Sequence, residues 1–296
     1  CASNNLESLK GGPVEVGGLY NCRSNKLKSL EYSPDEIRGL FSCSYNELTS
    51  LEHCPTFISA SFTCENNRLV SLKFGPTYVG EEYSCDNNEL ISLEGAPKET
   101  GAFNCGYNKL ETLEGAPELV KGSFGCINNN LLSLKGSPKE IRGGFNASFN
   151  ENLISLEGMP KGISDGFSCM NNKITSLEGF FDVDKVFNGD FSCDSNDLRS
   201  LKGVPKHING SFFCDSNNLK TLVGGPEIVK GEYVCGGNDL ISLKGIAKKV
   251  NESNPANILW GINVNKPRFP VRNIVKKDTR PNENAIGKPR NNKQNK

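Results

Sequence analysis

Cysteine recurs along this chain at Cys1, Cys22, Cys43, Cys64, Cys85, Cys105, Cys126, Cys169, Cys193, Cys214 and Cys235, with Ala147 holding the place between Cys126 and Cys169. The steps run from 20 to 24 residues, and most are 21. A fixed period of this length marks a stack of equivalent turns, each too small to enclose a core of its own. The same residues return around each cysteine. Asn follows three positions on (Asn25, Asn46, Asn67), then Leu (Leu27, Leu48, Leu69) and a pair such as Ser50-Leu51 or Thr112-Leu113. Pro34, Pro55 and Pro76 come next, an Ile or Val three later, and an aromatic two before the next cysteine (Phe41, Phe62, Tyr83). The full unit reads C-x-x-N-x-L-x-S-L-x-G-x-P-x-x-I-x-G-x-F-x.

The F-x-C alternation has the period of two that a short half-buried strand requires, so Phe41 and Cys43 are expected to point inward and Leu40, Ser42 and Ser44 outward. One strand per turn stacks into a parallel sheet. The Asn side chain, which both donates and accepts, can bond the backbone groups that the turn leaves without partners. Proline followed by glycine keeps the return segment extended or tightly turned, with little room for helix. One turn orders its whole backbone for a few buried side chains and cannot fold alone; stability has to come from the interfaces between neighbours.

These residues resemble the leucine-rich-repeat family, whose core L-x-L-x-x-N-x-L appears here as Phe41-x-Cys43-x-x-Asn46-x-Leu48 and its counterparts over about residues 1–250. The resemblance implies a repeat solenoid of the α/β class, a horseshoe with its parallel sheet on the concave face and mostly irregular or extended convex segments. It also implies that the sheet face receives partners, without naming one. The short proline-containing unit is similar to leucine-rich effectors of pathogenic bacteria, and its particular wording to repeat proteins of large tailed phages and other large DNA viruses. Residues 251–265, with Ile258, Leu259 and Trp260, are expected to cap the stack. Residues 266–296 are expected to form a basic, extended or disordered arm.

A ladder of cysteines invites a disulfide, metal or redox reading. Equivalent Cα atoms on neighbouring parallel strands stand about 4.8 Å apart, but their side chains run parallel, which holds the Cβ atoms farther apart than a disulfide prefers. A spacing of 21 offers no close pair of ligands for zinc, and no metal or cofactor is called for. Buried free thiols are the expected outcome, as Ala147 in the same column suggests, and they favour a reducing compartment: a host or bacterial cytoplasm, or a virion. Cys1 stands in ladder register with Asn4, Leu6 and Leu9; the competing reading is the acylated first residue of a bacterial lipoprotein. Cys54 lies off the ladder, as a small filler. No run of 18 apolar residues occurs, so no span is expected.

No catalytic residue is assigned. His53 and His207, the two histidines, have no nucleophile or carboxylate constellation with them. Asp194 and Asp215 share a column, as do Glu65 and Asp86; a two-carboxylate hydrolase is a distant reading beside a solvated acidic face. Apolar residues at positions expected to be exposed carry more information. Tyr107, Ile127, Phe149 and Met170 occur in four consecutive repeats between the cysteine place and the Asn, where they form an exposed stripe or fold over their neighbours. Irregularity gathers nearby: Glu151-Asn152 adds a residue, and the turn from Cys169 lengthens to 24 residues through Phe180 and Phe181, losing its proline. A partner site spanning these repeats is therefore expected, with an extra phenylalanine filling a local gap as the competing reading.

Formal charge is zero, but residues 265–296 hold ten Lys/Arg against two Asp/Glu, leaving 24 against 32 in the rest. An acidic body thus precedes a basic segment, which suits nucleic acid or an acidic partner, although no aromatic in 270–296 can stack on bases. The expected function is a non-enzymatic, protein-binding module. The alternative is a structural component of a phage or virus particle, anchored by the basic segment.

Overall fold

The computed structural model describes residues 1–250; the expected cap and basic arm lie outside the described residues. Each F-x-C stretch forms a strand of two or three residues, and eleven such strands, from Tyr20–Asn21 to Tyr233–Val234, join in chain order into one parallel sheet. Register keeps like over like: Phe41 pairs Phe62, Phe103 pairs Phe124 and Phe191 pairs Phe212. The aromatic column is consequently continuous from Tyr20 to Tyr233, its successive ring centroids 5.0 to 6.0 Å apart. Those separations suit tilted and edge-on rings. Beside it run the columns of Cys, Leu and Ile or Val, buried except in the end turns and at Ile163. The core is one ribbon of side chains running the length of the stack.

Phe41 and Cys43 point inward as expected, and Leu40 is half-buried. Ser42 and Ser44 depart from expectation, because both are covered. Their hydroxyls are small enough to lie flat and bond Thr63 of the next turn, Ser44 at 3.1 Å and Ser42 at 2.8 Å.

The return segments hold no helix; among the described residues the fold contains strands and turns alone. The Ile or Val after most prolines lies in a second two-residue strand, such as Glu36–Ile37 or Phe57–Ile58. These strands form a four-stranded sheet from Glu15–Val16 to Tyr78–Val79, a three-stranded one from Glu99–Thr100 to Glu140–Ile141, and another four-stranded one from Val186–Phe187 to Lys249–Val250. The last gap falls at the irregular turns, where a single bridge joins Ile141 to Ile163. The main sheet runs through unbroken, Phe145 to Phe167 to Phe191, so the long turn from Cys169 loops out its additional residues on the return side.

Asn performs the bonding expected of it, across two turns at once. The Asn46 amide donates to the carbonyls of Cys43 and Ser44 in its own turn (3.0 and 3.2 Å) and of Cys22 in the turn before (3.1 Å). Its oxygen accepts the Leu27 N–H at 3.0 Å. Asn67, Asn88, Asn108, Asn217 and Asn238 repeat the pattern. The extra residue at Glu151-Asn152 shifts it: Asn172 accepts the Asn150 N–H (2.6 Å), and Leu153 N–H turns to the Asn150 carbonyl (2.9 Å).

The thiols are free, and all but Cys1 are buried. Cys22, Cys64, Cys105 and Cys126 each donate a weak bond to the neighbouring strand's carbonyl at 3.4 to 3.5 Å. Cys1 makes the same contact with Asn21 and so holds the ladder position.

Two positions per turn adopt a left-handed backbone. The second residue after the cysteine does so as Ser24, Asn66, Asn87, Asn128, Asn171 and Ser195, and also as Tyr45, Tyr107 and Phe149. Two residues before the proline, most turns carry Gly. At Gly95 a Cβ would collide with the Leu72 carbonyl, and the tight approach lets Leu72 N–H bond Glu94 O at 3.0 Å. Three consecutive turns instead place Tyr32, His53 and Phe74 there, at φ 69°, 67° and 65°. The equivalent bond is missing at Leu9, Leu30 and Leu51, and also at Leu156, Leu177 and Leu201, where the next turn does carry glycine. A left-handed non-glycine residue costs about 1–2 kcal/mol.

Candidate partner-binding edge

The turn that follows each main-sheet strand forms a long edge of the solenoid, and the candidate site lies on it. Tyr107 and Phe149 belong to its left-handed column, separated by Asn128, and are 47% and 46% exposed. Ile127 and Met170 fall one column nearer the strand, separated by Ser148, and both are half-buried. The four residues therefore alternate between two columns. Ile127 leans over Gly106, its Cγ1 2.8 Å from where a Cβ on that glycine would stand. The backbone locks the columns together, Tyr107 N–H donating to Ile127 O (2.8 Å) and Phe149 N–H to Met170 O (2.9 Å).

Phe149 is one wall of a shallow cleft whose other walls are Asn128, Glu151, Asn171, Asn172, Lys173 and Ser195. The inserted Glu151 and the lengthened turn thus meet at one depression. Phe180 and Phe181 lie elsewhere. Both pack against the core; Phe181, standing where proline stands in other turns, brings its ring within 5.1 Å of Phe167 and 4.9 Å of Phe191. This is the gap-filling role, since a turn of 24 residues leaves space that a side chain must occupy.

Sequence reading missed a neighbouring column. Val70, Ile91, Leu132 and Ile154, between the Leu and the Ser of their turns, are all more than half exposed. Backbone bonds link Ile91 N–H to Val70 O (3.1 Å) and Leu132 N–H to Glu111 O (3.0 Å), so these residues run parallel to Tyr107 and Phe149. Between the two apolar columns lie ion pairs, Lys109 with Glu89 at 2.9 Å and Arg68 with Glu47 at 3.9 Å. Tyr45 belongs to the Tyr107 column, and the Arg23 guanidinium sits 4.5 Å over its ring. Comparing one position across all turns would have exposed the signal.

The acidic columns are held by hydrogen bonds. Asp86 accepts the Gly106 N–H at 2.6 Å and Glu65 accepts the Ser84 hydroxyl at 2.7 Å. Burial first, and then the charges of Glu65 and Glu82, push the Asp86 carboxyl up to about 6 against the Gly106 hydrogen bond. Ser192 donates to Asp194. His53 is exposed, and the buried Nε2 of His207 makes no hydrogen bond. Burial also pushes the thiols up, Cys22 to about 12 and Cys235 to about 11, which leaves them protonated and poor nucleophiles. Among the described residues no group of three or more His, Cys, Asp or Glu is arranged to hold a metal ion, and no helix is long and apolar enough to cross a membrane.

Among solved structures, YopM from Yersinia enterocolitica WA-314, a leucine-rich-repeat protein, superposes with a TM-score of 0.55 over 78% of this chain and 54% of its own. The fold is a leucine-rich-repeat solenoid. At 19% identity the likeness is one of fold alone, and the chain spans about half the length of YopM. No protein-family model matches the sequence, and no curated protein matches it.

Proposed function

We propose that this solenoid is a protein-binding module that docks its partner along the edge carrying Tyr107 and Phe149, with Ile127 and Met170 at the rim toward the sheet. One observation carries the reading. Tyr107 and Phe149 hold half-exposed rings at a backbone position that the flanking turns fill with Asn, a residue better suited to left-handed geometry. Neither ring is needed for the stack, and large apolar side chains beside a cleft are the usual anchors of an interface. The likeness of fold to YopM supports a scaffold rather than an enzyme. The ladder of free thiols supports a reducing compartment.

The test is affinity capture from the native source by the full chain and by a Tyr107→Ser/Phe149→Ser variant. A partner bound by the first and lost with the second, at equal melting temperature, supports the site; capture unchanged by the variant removes it. A second reading, a component of a phage or virus particle anchored by residues 266–296, rests on the ten Lys/Arg in that segment. Stoichiometric copies in purified particles would establish it.

A further inference from the structure

A second surface lies on the return segments of the first turns, away from the edge just described. Tyr32, His53 and Phe74 stand two residues before Pro34, Pro55 and Pro76, and Phe57 and Tyr78 stand two residues after Pro55 and Pro76. The prolines are buried and all five flanking side chains are exposed, Phe74 most of all at 67%. Phe57 and Tyr78 stack face to face, centroids 4.9 Å apart and planes within 5°. The first three occupy the left-handed place that most other turns give to glycine. Three consecutive turns therefore keep strained, exposed rings where glycine would relieve the strain.

The charge around these rings is mainly negative. Glu31, Asp35 and Glu52 are exposed and have no basic partner among the described residues. Of the cations flanking these acids, Arg38 is engaged by Glu36 (3.7 Å) and Lys73 by Glu94 (3.0 Å), which leaves Lys10, one turn before Glu31 in the same column, beside three carboxylates. Aromatic faces beside carboxylates that lack a basic partner match a guanidinium, which stacks on the ring and bonds the acid at its edge. Arg23 over Tyr45 shows that contact within this molecule. Spacing specifies more. Turns about 4.8 Å apart put Tyr32 and Phe74 about 9.6 Å apart, and a polyproline II helix repeats about every 9.3 Å, three residues on.

We propose that this face binds an extended, proline-rich segment of a partner protein that carries arginine at every third residue, its guanidinium groups lying between the rings and Glu31, Asp35 and Glu52. The proposal does not depend on the Tyr107 edge.

The test measures binding of a fluorescent (Pro-Pro-Arg)5 peptide to the full chain by anisotropy. Saturable binding is expected, several-fold weaker for (Pro-Pro-Lys)5 and absent for (Pro-Pro-Glu)5. Tyr32→Gly/Phe74→Gly introduces the residue other turns carry, so folding is retained, and it should weaken binding at least tenfold, whereas Tyr107→Ser/Phe149→Ser should leave it unchanged. Equal affinity for the glycine variant, equal affinity for the glutamate peptide, or loss in the Tyr107 and Phe149 variant would overturn the proposal. Binding that emerges only when Arg268, Arg272, Arg280 and Arg290 are changed to Gln would give the surface to the chain's own basic segment and overturn it as well.

Discussion

The hydroxyl of Tyr83 lies 3.0 Å from where a Cβ on Gly75 would stand, so the two residues share one space. The same pairing joins Tyr233 to Gly225 (3.2 Å) and Tyr20 to Gly12 (3.5 Å). Turns that supply Phe to the ring column carry Ser33, Cys54, Ala96, Ala116, Ser137, Met159, Phe180 or Val204 at the glycine's place. The hydroxyl fills what the missing side chain vacates. Gly75→Ala should therefore cost about 1–3 kcal/mol by overpacking. Adding Tyr83→Phe should restore part of it, because the buried Tyr83 hydroxyl has no hydrogen-bond partner to lose, while the contact of the new Cβ with the Leu72 carbonyl (2.8 Å) remains. Urea denaturation of both single variants and the double variant measures the coupling, and additive costs would refute it.

Removing an Asn from the ladder should hurt far more than its size suggests. Asn46→Ala strands the Leu27 N–H and leaves the Cys22 carbonyl short of a donor, both in places water does not reach. A loss of about 3 kcal/mol is expected from orphaned buried groups. Chemical denaturation checks it.

The glycine column predicts opposite signs at neighbouring turns. Phe74→Gly should stabilise by about 0.5–1 kcal/mol, the relief of left-handed strain exceeding the added freedom of the unfolded chain. Gly95→Ala should destabilise by more than about 2 kcal/mol, since its Cβ meets the Leu72 backbone. Paired thermal melts read both.

Asp86 makes stability depend on pH in a definite direction. Its carboxyl, raised to about 6 from 3.8, holds more protons folded than unfolded between these values, so its contribution to native stability falls as pH rises through that window. Asp86→Asn keeps an oxygen for the Gly106 N–H and removes the titration. The variant should exceed the parent by about 1 kcal/mol at pH 7.5, a figure discounted for partial solvent screening, and converge with it toward pH 4. A gap that does not change with pH would argue against the titration.

Thiol labelling should count the fold. Cys1 is exposed, and the others are buried with thiols pushed above their ordinary range where a shift is resolved, so one thiol should react in the native chain and twelve after denaturation without reductant. Several fast-reacting native thiols would contradict the packing.

The period, the inward Phe and Cys, the bonding role of Asn and the scarcity of helix were legible in the sequence because each follows from a constraint that recurs in every turn. What escaped depends on comparing two columns, or on the sign of φ. Nothing in a single turn shows that Tyr107 and Ile127 leave the backbone at different columns, that Phe181 swings into the core, or that Gly75 answers Tyr83. The second strand in each return segment was hidden by its length, since two residues carry no alternation to read. The covering of Ser42 and Ser44 was hidden by their small size.

Because Asn46 reaches back to the turn that holds Cys22 and Leu27 and no farther, each turn is fastened to its neighbours alone. Pulled from one end, such a molecule should pay out like a zip, one tooth at a time, each tooth releasing about 7 nm of chain for 21 residues at about 3.4 Å each. The irregular turns around Asn150 and Asn172, where the fastening is rearranged, are where that zip should snag or slip first.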